Sequence, residues 1–92
     1  MNGLYYVVLM FFFGLATAIR FSLAAPTPVR LTIYDAQGRC VRALLAATLG
    51  GGAHVVGWDG RDDAGIARPS GVYLLRLATP VATADQKLVL TR

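Results

Sequence analysis

From Ile19 onward, apolar and polar side chains alternate with period two, the pattern of strands buried on one face. In Ile19-Arg20-Phe21-Ser22-Leu23 the odd positions are apolar and the even ones polar. Ala24-Ala25-Pro26-Thr27-Pro28 interrupts the run, because proline has no N–H to give to a ladder. Val29, Leu31 and Ile33 then alternate with Arg30, Thr32 and Tyr34. Asp35-Ala36-Gln37-Gly38 reads as a turn, with Asp first and Gly fourth, as type I turns prefer. Residues 39–45 resume the alternation, which places Val41, Ala43 and Leu45 on the face opposite Cys40, Arg42 and Leu44.

Gly50-Gly51-Gly52 is a flexible break before a strand over 53–58, on which His54, Val56 and Trp58 share a face. Residues 59–70 hold three Asp and no apolar periodicity, so they read as a structured loop. The strand over 72–77 points Tyr73, Leu75 and Leu77 inward, and a last strand over 86–92 does the same with Leu88 and Leu90. Arg20, Arg30, Arg42, Arg76 and Lys87 each lie opposite the apolar set of their own strand. That is the pattern of two antiparallel sheets stacked core to core with charged outer faces. Short strands between turn signals also favour a sandwich over a fold with crossover helices. The expected fold is therefore an all-β antiparallel sandwich of about six to seven strands.

Composition narrows the function classes. The chain has 92 residues, 55% hydrophobic and 15% charged, which excludes a disordered tail. Its one Cys and one His cannot build a disulfide framework or a zinc site. Eight Arg and one Lys against five Asp give a net charge of +4. These cations are spread singly rather than gathered into a basic stripe with interleaved aromatics, so they read as a solvated face and no nucleic-acid partner is expected.

Three runs carry a family resemblance: Val29-Arg-Leu-Thr-Ile-Tyr34-Asp35-Ala-Gln-Gly38, then His54-Val-Val-Gly-Trp58-Asp59-Gly60-Arg-Asp62-Asp-Ala-Gly65, then Ser70-Gly71-Val-Tyr73. In order and spacing they resemble the FlgD Ig-like domain, and the related carboxyl-terminal modules of exported bacterial proteins, including type IX secretion sorting domains. The resemblance runs from about Thr17 to Arg92. It implies a small Ig-like or fibronectin-III-like sandwich, non-enzymatic and without cofactor, metal or small-molecule substrate. Its members work in flagellar hook assembly, or stand at the end of secreted and cell-envelope proteins, with protein partners. Tyr34, Asp35, Gly38, His54, Trp58, Asp59, Gly60, Asp62, Gly65, Gly71 and Tyr73 are the motif positions to which it assigns a structural part.

Each of these residues also has a sharper reading. Asp59, Asp62 and Asp63 near Gly65 suggest calcium, but the alternating ligand spacing is missing, and capping of the loop's own turns is the favoured reading of these short carboxylates. Trp58 and the tyrosines suggest a sugar platform. Strand phase nevertheless turns Trp58 and Tyr73 inward and leaves Tyr34 as the clear outward aromatic. His54 has no nucleophile at a recognisable elbow, so it reads as a strand histidine packed beside Trp58. Cys40 falls on the outer phase, as a small strand residue, a reactive thiol or a handle for intermolecular pairing. No catalytic constellation emerges.

The first nineteen residues carry no charge, and residues 4–15 are apolar almost throughout. We divide the chain into a leader, 1–16, and a sandwich domain, 17–92. The leader has three readings: a context left by a fragment or misplaced start, a signal peptide, and an anchor. As a signal peptide it has an A-x-A site at Ala16-Thr17-Ala18 but no basic start. As an anchor over residues 4–19, it would place membrane contact at 4–15 and make the chain a tethered binding protein. Twelve apolar residues, however, span only about 18 Å as a helix, against roughly 30 Å of hydrocarbon. Within a folded chain, its Tyr, Val and Phe would form an added strand or an apolar helix. The function expected is a non-catalytic module of an exported or envelope-associated bacterial protein, acting in assembly, spacing or secretion sorting, and a carboxyl-terminal fragment of a larger protein.

Overall fold

The structure, a computed structural model, describes the backbone of residues 5–13 and 16–91 and the side chains of residues 18–91. The described residues form the strands β1 (Tyr5–Phe13), β2 (Ala16–Leu23), β3 (Thr27–Tyr34), β4 (Cys40–Leu49), β5 (Gly52–Trp58), β6 (Gly71–Ala78) and β7 (Thr83–Leu90). One sheet has the order β1-β2-β5 and the other β4-β3-β6-β7, with antiparallel neighbours throughout. This is the all-β sandwich of two antiparallel sheets that the alternation predicts.

The inward positions of the alternating runs meet as one core. Ile19, Phe21 and Leu23 of β2 and Trp58 of β5 face Val29, Leu31 and Ile33 of β3, Tyr73, Leu75 and Leu77 of β6, and Leu88 and Leu90 of β7. Arg20, Arg30, Arg76 and Lys87 are exposed on the opposite faces, and Arg42 is half-exposed. Burying a large apolar side chain contributes about 1.5–3 kcal/mol, so this shared core is the main stabilising term of the fold.

The strands depart from the alternation in β4 and in the last strand. β4 continues four residues beyond the expected end, to Leu49, and contains two bulges. Tyr34 pairs with Cys40 but Ile33 with Arg42, and Thr32 pairs with Ala43 but Leu31 with Leu45, leaving Val41 and Leu44 as the extra residues. A bulge sets two residues against one and resets the phase. Ala43 is consequently exposed, while Leu44 and Leu45 are both half-buried. The last strand lies at Thr83–Leu90, starting three residues earlier than the alternation indicates.

In the leader, Tyr5–Phe13 forms a strand and pairs with β2 from Tyr5↔Leu23 to Phe13↔Ala16. Among the described residues no helix is long and apolar enough to cross a membrane. The side chains of 1–17, on which the signal-peptide and anchor readings rest, lie outside the described residues.

Candidate functional site

The connection from β5 to β6, residues 59–70, gathers most of the motif positions at one end of the sandwich. It is a miniature hairpin. Arg61 and Ala67 form a bridge, Asp62 N–H donates to Ile66 O at 2.9 Å, and Gly65 N–H donates to Asp62 O at 2.9 Å. Gly65 turns the chain at φ +83°, in the left-handed region that a residue with Cβ enters only with strain. The Asp62 carboxylate sits inside this turn, with Oδ1 accepting the N–H groups of Ala64 at 3.0 Å and Ile66 at 2.9 Å. Asp59 Oδ1 accepts Arg61 N–H at 3.0 Å. Both carboxylates satisfy backbone donors that the short turn leaves unpaired.

Two aromatic side chains fasten the loop to the core. Trp58 is 1% exposed, and its ring meets that of Tyr73 edge to face, with centroids 5.4 Å apart. Its indole N–H donates to Arg61 O at 2.9 Å, across the first turn of the loop. The Tyr73 hydroxyl donates to Pro69 O at 2.7 Å, tying the last residues of the loop to β6. The apolar bodies of both rings lie in the core, and their single polar atoms hold the backbone at the loop's two ends.

The loop is joined to β4 and to the β3–β4 turn by Asp63, Arg42 and Arg68, through contacts that the strand pattern does not indicate. Asp63 N–H donates to Val41 O at 3.0 Å, and its Oδ1 accepts Ala43 N–H at 3.1 Å, bracketing the bulged part of β4. Arg42 extends over the loop to Asp59 Oδ1 at 3.4 Å and Arg61 O at 3.3 Å. Arg68 stands between two carboxylates, 3.9 Å from Asp35 Oδ2 and 3.9 Å from Asp62 Oδ2. Asp35 caps its own turn: Oδ1 accepts the N–H groups of Gln37 at 3.0 Å and Arg39 at 2.9 Å, and Oδ2 accepts Arg39 Nε–H at 3.0 Å. The backbone bond from Arg39, above all, holds the Asp35 carboxyl below its usual range against the opposing effect of burial. Gly38 closes this turn at φ +86°, its N–H donating to Asp35 O at 3.0 Å.

Trp58, Asp59, Gly60, Asp62, Gly65, Gly71 and Tyr73 thus share one end of the molecule, with Asp35 and Gly38 joined to them through Arg68. Two motif positions lie apart. His54 stacks on Phe21, with centroids 5.5 Å apart, and its Nε2 is 2.7 Å from Gly50 O; its ring neighbour is therefore Phe21, where phase suggested Trp58. Tyr34 is half-buried at the end of β3, with the Arg76 guanidinium 5.7 Å over its ring. Arg76 in turn grips Asp85, its cross-strand partner, through two bonds of 2.8 and 3.1 Å, which lowers the Asp85 carboxyl and raises the guanidinium.

Among the described residues the surface carries shallow grooves. One of about 340 Å³ runs beside the β3–β4 turn between Tyr34, Leu74, Arg76 and Lys87. A smaller one of about 230 Å³ holds Arg39, Cys40 and Arg68, with the Cys40 thiol exposed. Among the described residues no three His, Cys, Asp or Glu side chains are grouped so as to hold a metal ion. The loop carboxylates are spent on backbone N–H groups and guanidinium groups, and the arrangement serves to make a loop rigid.

Comparison with known proteins places this architecture. No curated protein matches the chain at a significant level. Among solved structures it is similar to the crystal structure of FLGD from P. aeruginosa, with a TM-score of 0.59 and 25% identity over 82% of this chain. The match covers 60% of that chain, so the present sequence corresponds to only part of that protein. The family model of the FlgD Ig-like domain matches residues 11–82, from within β1 to the β6–β7 turn, taking in the whole clamped loop. With its sandwich, its loop and most of its length matched, the chain belongs to the FlgD Ig-like domain family.

Proposed function

We propose that this chain is a non-catalytic Ig-like module of a bacterial flagellar hook-assembly protein, exported or envelope-associated, acting through protein partners. The observation that carries the reading is that the family match takes in residues 11–82, including the loop in which every Asp carboxylate is engaged by the protein itself. A loop held in one shape by Trp58, Tyr73, Asp62 and Arg68 presents a fixed surface to a partner, as an assembly or spacing module requires. Tyr34, Asp35, Gly38, His54, Trp58, Asp59, Gly60, Asp62, Gly65, Gly71 and Tyr73 serve structure in this reading, and none serves chemistry.

A chimera tests it. Replacing the Ig-like segment of P. aeruginosa FLGD with residues 5–92, so that β1 is kept, is expected to restore hook assembly in a strain lacking that protein. A stable, exported chimera that builds no hooks would exclude the hook role and favour spacing or secretion sorting, as in a carboxyl-terminal fragment of another exported protein. The anchored alternative draws on the uncharged residues 4–19. It requires Ile19 to leave the core in which it is fully buried. Recovery of the full-length chain from the soluble fraction would remove it.

A further inference from the structure

A sandwich must protect the unpaired backbone groups along its edges, which otherwise recruit another strand. The edge strands here are β1 and β5 in one sheet and β4 and β7 in the other. β1 is interrupted by a register shift between Val7 and Leu9, and β4 by its two bulges. β7 carries Asp85 and Lys87. β5 has none of these devices. Its pairing with β2 runs unbroken from Thr17↔Trp58 to Leu23↔Gly52, and it contains neither proline nor a charged side chain. At its centre Val55 is 57% exposed.

Among the described residues, the rim of the core between β4 and β5 is only half closed. The described apolar side chains that pack against the core while remaining partly exposed are Leu44, Leu45 and Leu49 of β4 and Val56 of β5, two strands whose sides meet where Arg42 lines a groove with Gly57 and Trp58. No charged residue occurs anywhere from 43 to 58. This stretch therefore offers no charge for a charged partner to complement, and nothing on it repels an identical stretch.

We propose that the chain self-associates through β5, which pairs antiparallel with β5 of a second copy about a two-fold axis at Val55. The inference stands on the fold and does not depend on the hook-assembly reading. Val55 is the middle residue of the seven in Gly52–Trp58. Antiparallel self-pairing centred there sets Val55 against Val55, His54 against Val56 and Ala53 against Gly57, with no like charges opposed. Such a contact is isologous and closes at two copies. It joins the two three-stranded sheets into one continuous sheet and lays one half-open apolar rim against the other. Arg20, the neighbour of Val55 on β2, would stand three strand spacings from its counterpart, about 14 Å, where repulsion is largely screened.

Sedimentation of the full chain tests this. The parent is expected at the mass of two chains, and Val55→Lys, which sets two ammonium groups against each other on the axis, at the mass of one. Val89→Lys, at another exposed valine, on the charged edge strand β7, is expected to leave the dimer intact. A monomeric parent, a Val55→Lys variant as associated as the parent, or equal dissociation by Val89→Lys would each overturn the proposal. A second variant covers a failure of Val55→Lys to fold. In a Cys40→Ser background, Val55→Cys places two thiols directly opposite one another, at a Cα separation of about 4.5–5.5 Å that a disulfide bridges. Oxidation should convert this variant to a covalent dimer, and its persistence as a free thiol would reject the two-fold pairing.

Discussion

Trp58 works at both its ends: the ring fills the core against Tyr73, and the indole N–H holds the loop through Arg61 O. Trp58→Ala removes the ring, leaves a cavity and frees the loop, at a cost of about 3–5 kcal/mol. Native stabilities are roughly 5–15 kcal/mol, so the variant should lose a large share of its stability and melt well below the parent when followed by circular dichroism. A melt matching the parent would contradict the burial of this ring. Tyr73→Phe is the milder counterpart. It keeps the edge-to-face contact and deletes only the bond to Pro69 O, a loss of about 0.5–1.5 kcal/mol. Its midpoint in denaturant should fall without a change in slope, since the same surface is exposed on unfolding.

At the scale of elements, the strands were legible because period-two alternation is a direct consequence of one-sided burial. Ile19/Phe21/Leu23 and Tyr73/Leu75/Leu77 are buried as their phase indicates. β4 was not, because a bulge adds a residue without altering composition, and nothing in 39–45 distinguishes Val41 or Leu44 as the extra one. The clamped loop was half legible. Its Asp and Gly residues announce a turn, and Trp58 and Tyr73 follow from strand phase. Asp63, Arg42 and Arg68 depend on contacts such as Asp63–Ala43, Arg42–Asp59 and Arg68–Asp35, seventeen or more residues apart, that no local pattern encodes. Asp63 has a testable role as the brace between loop and bulge. Asp63→Ala should cost at most about 1 kcal/mol, since the bonded carboxylate is largely exposed. The same variant should speed hydrogen exchange at the Ala43 amide while leaving core amides such as Leu75 unchanged. Unchanged exchange at Ala43 would mean that the bulge holds itself.

The whole molecule balances nine Lys and Arg against five Asp, and each of those five carboxylates is engaged: Asp35 with Arg39 and Arg68, Asp59 and Asp63 with Arg42, Asp62 with Arg68, and Asp85 with Arg76. Acid therefore acts in two ways at once. Asp35, chiefly through the backbone bond from Arg39, and Asp85, chiefly through its side-chain bond to Arg76, have folded pKa values lowered from the ordinary carboxylate value of 3.8. Between the folded and unfolded pKa values the unfolded chain binds more protons. The stability these groups contribute is therefore fully present above the unfolded pKa and is lost as pH falls through the folded one. Protonation also removes the anions that offset the guanidinium groups, so the remaining cations repel one another within a small volume. The melting temperature should fall steeply once the pH drops below about 4. Asp35→Asn combined with Asp85→Asn should melt lower than the parent at neutral pH and show a shallower acid decline, because two of the titrating groups are gone. A double variant with the parent's full acid slope would show that neither the β3–β4 turn nor the β6–β7 pair carries the acid transition.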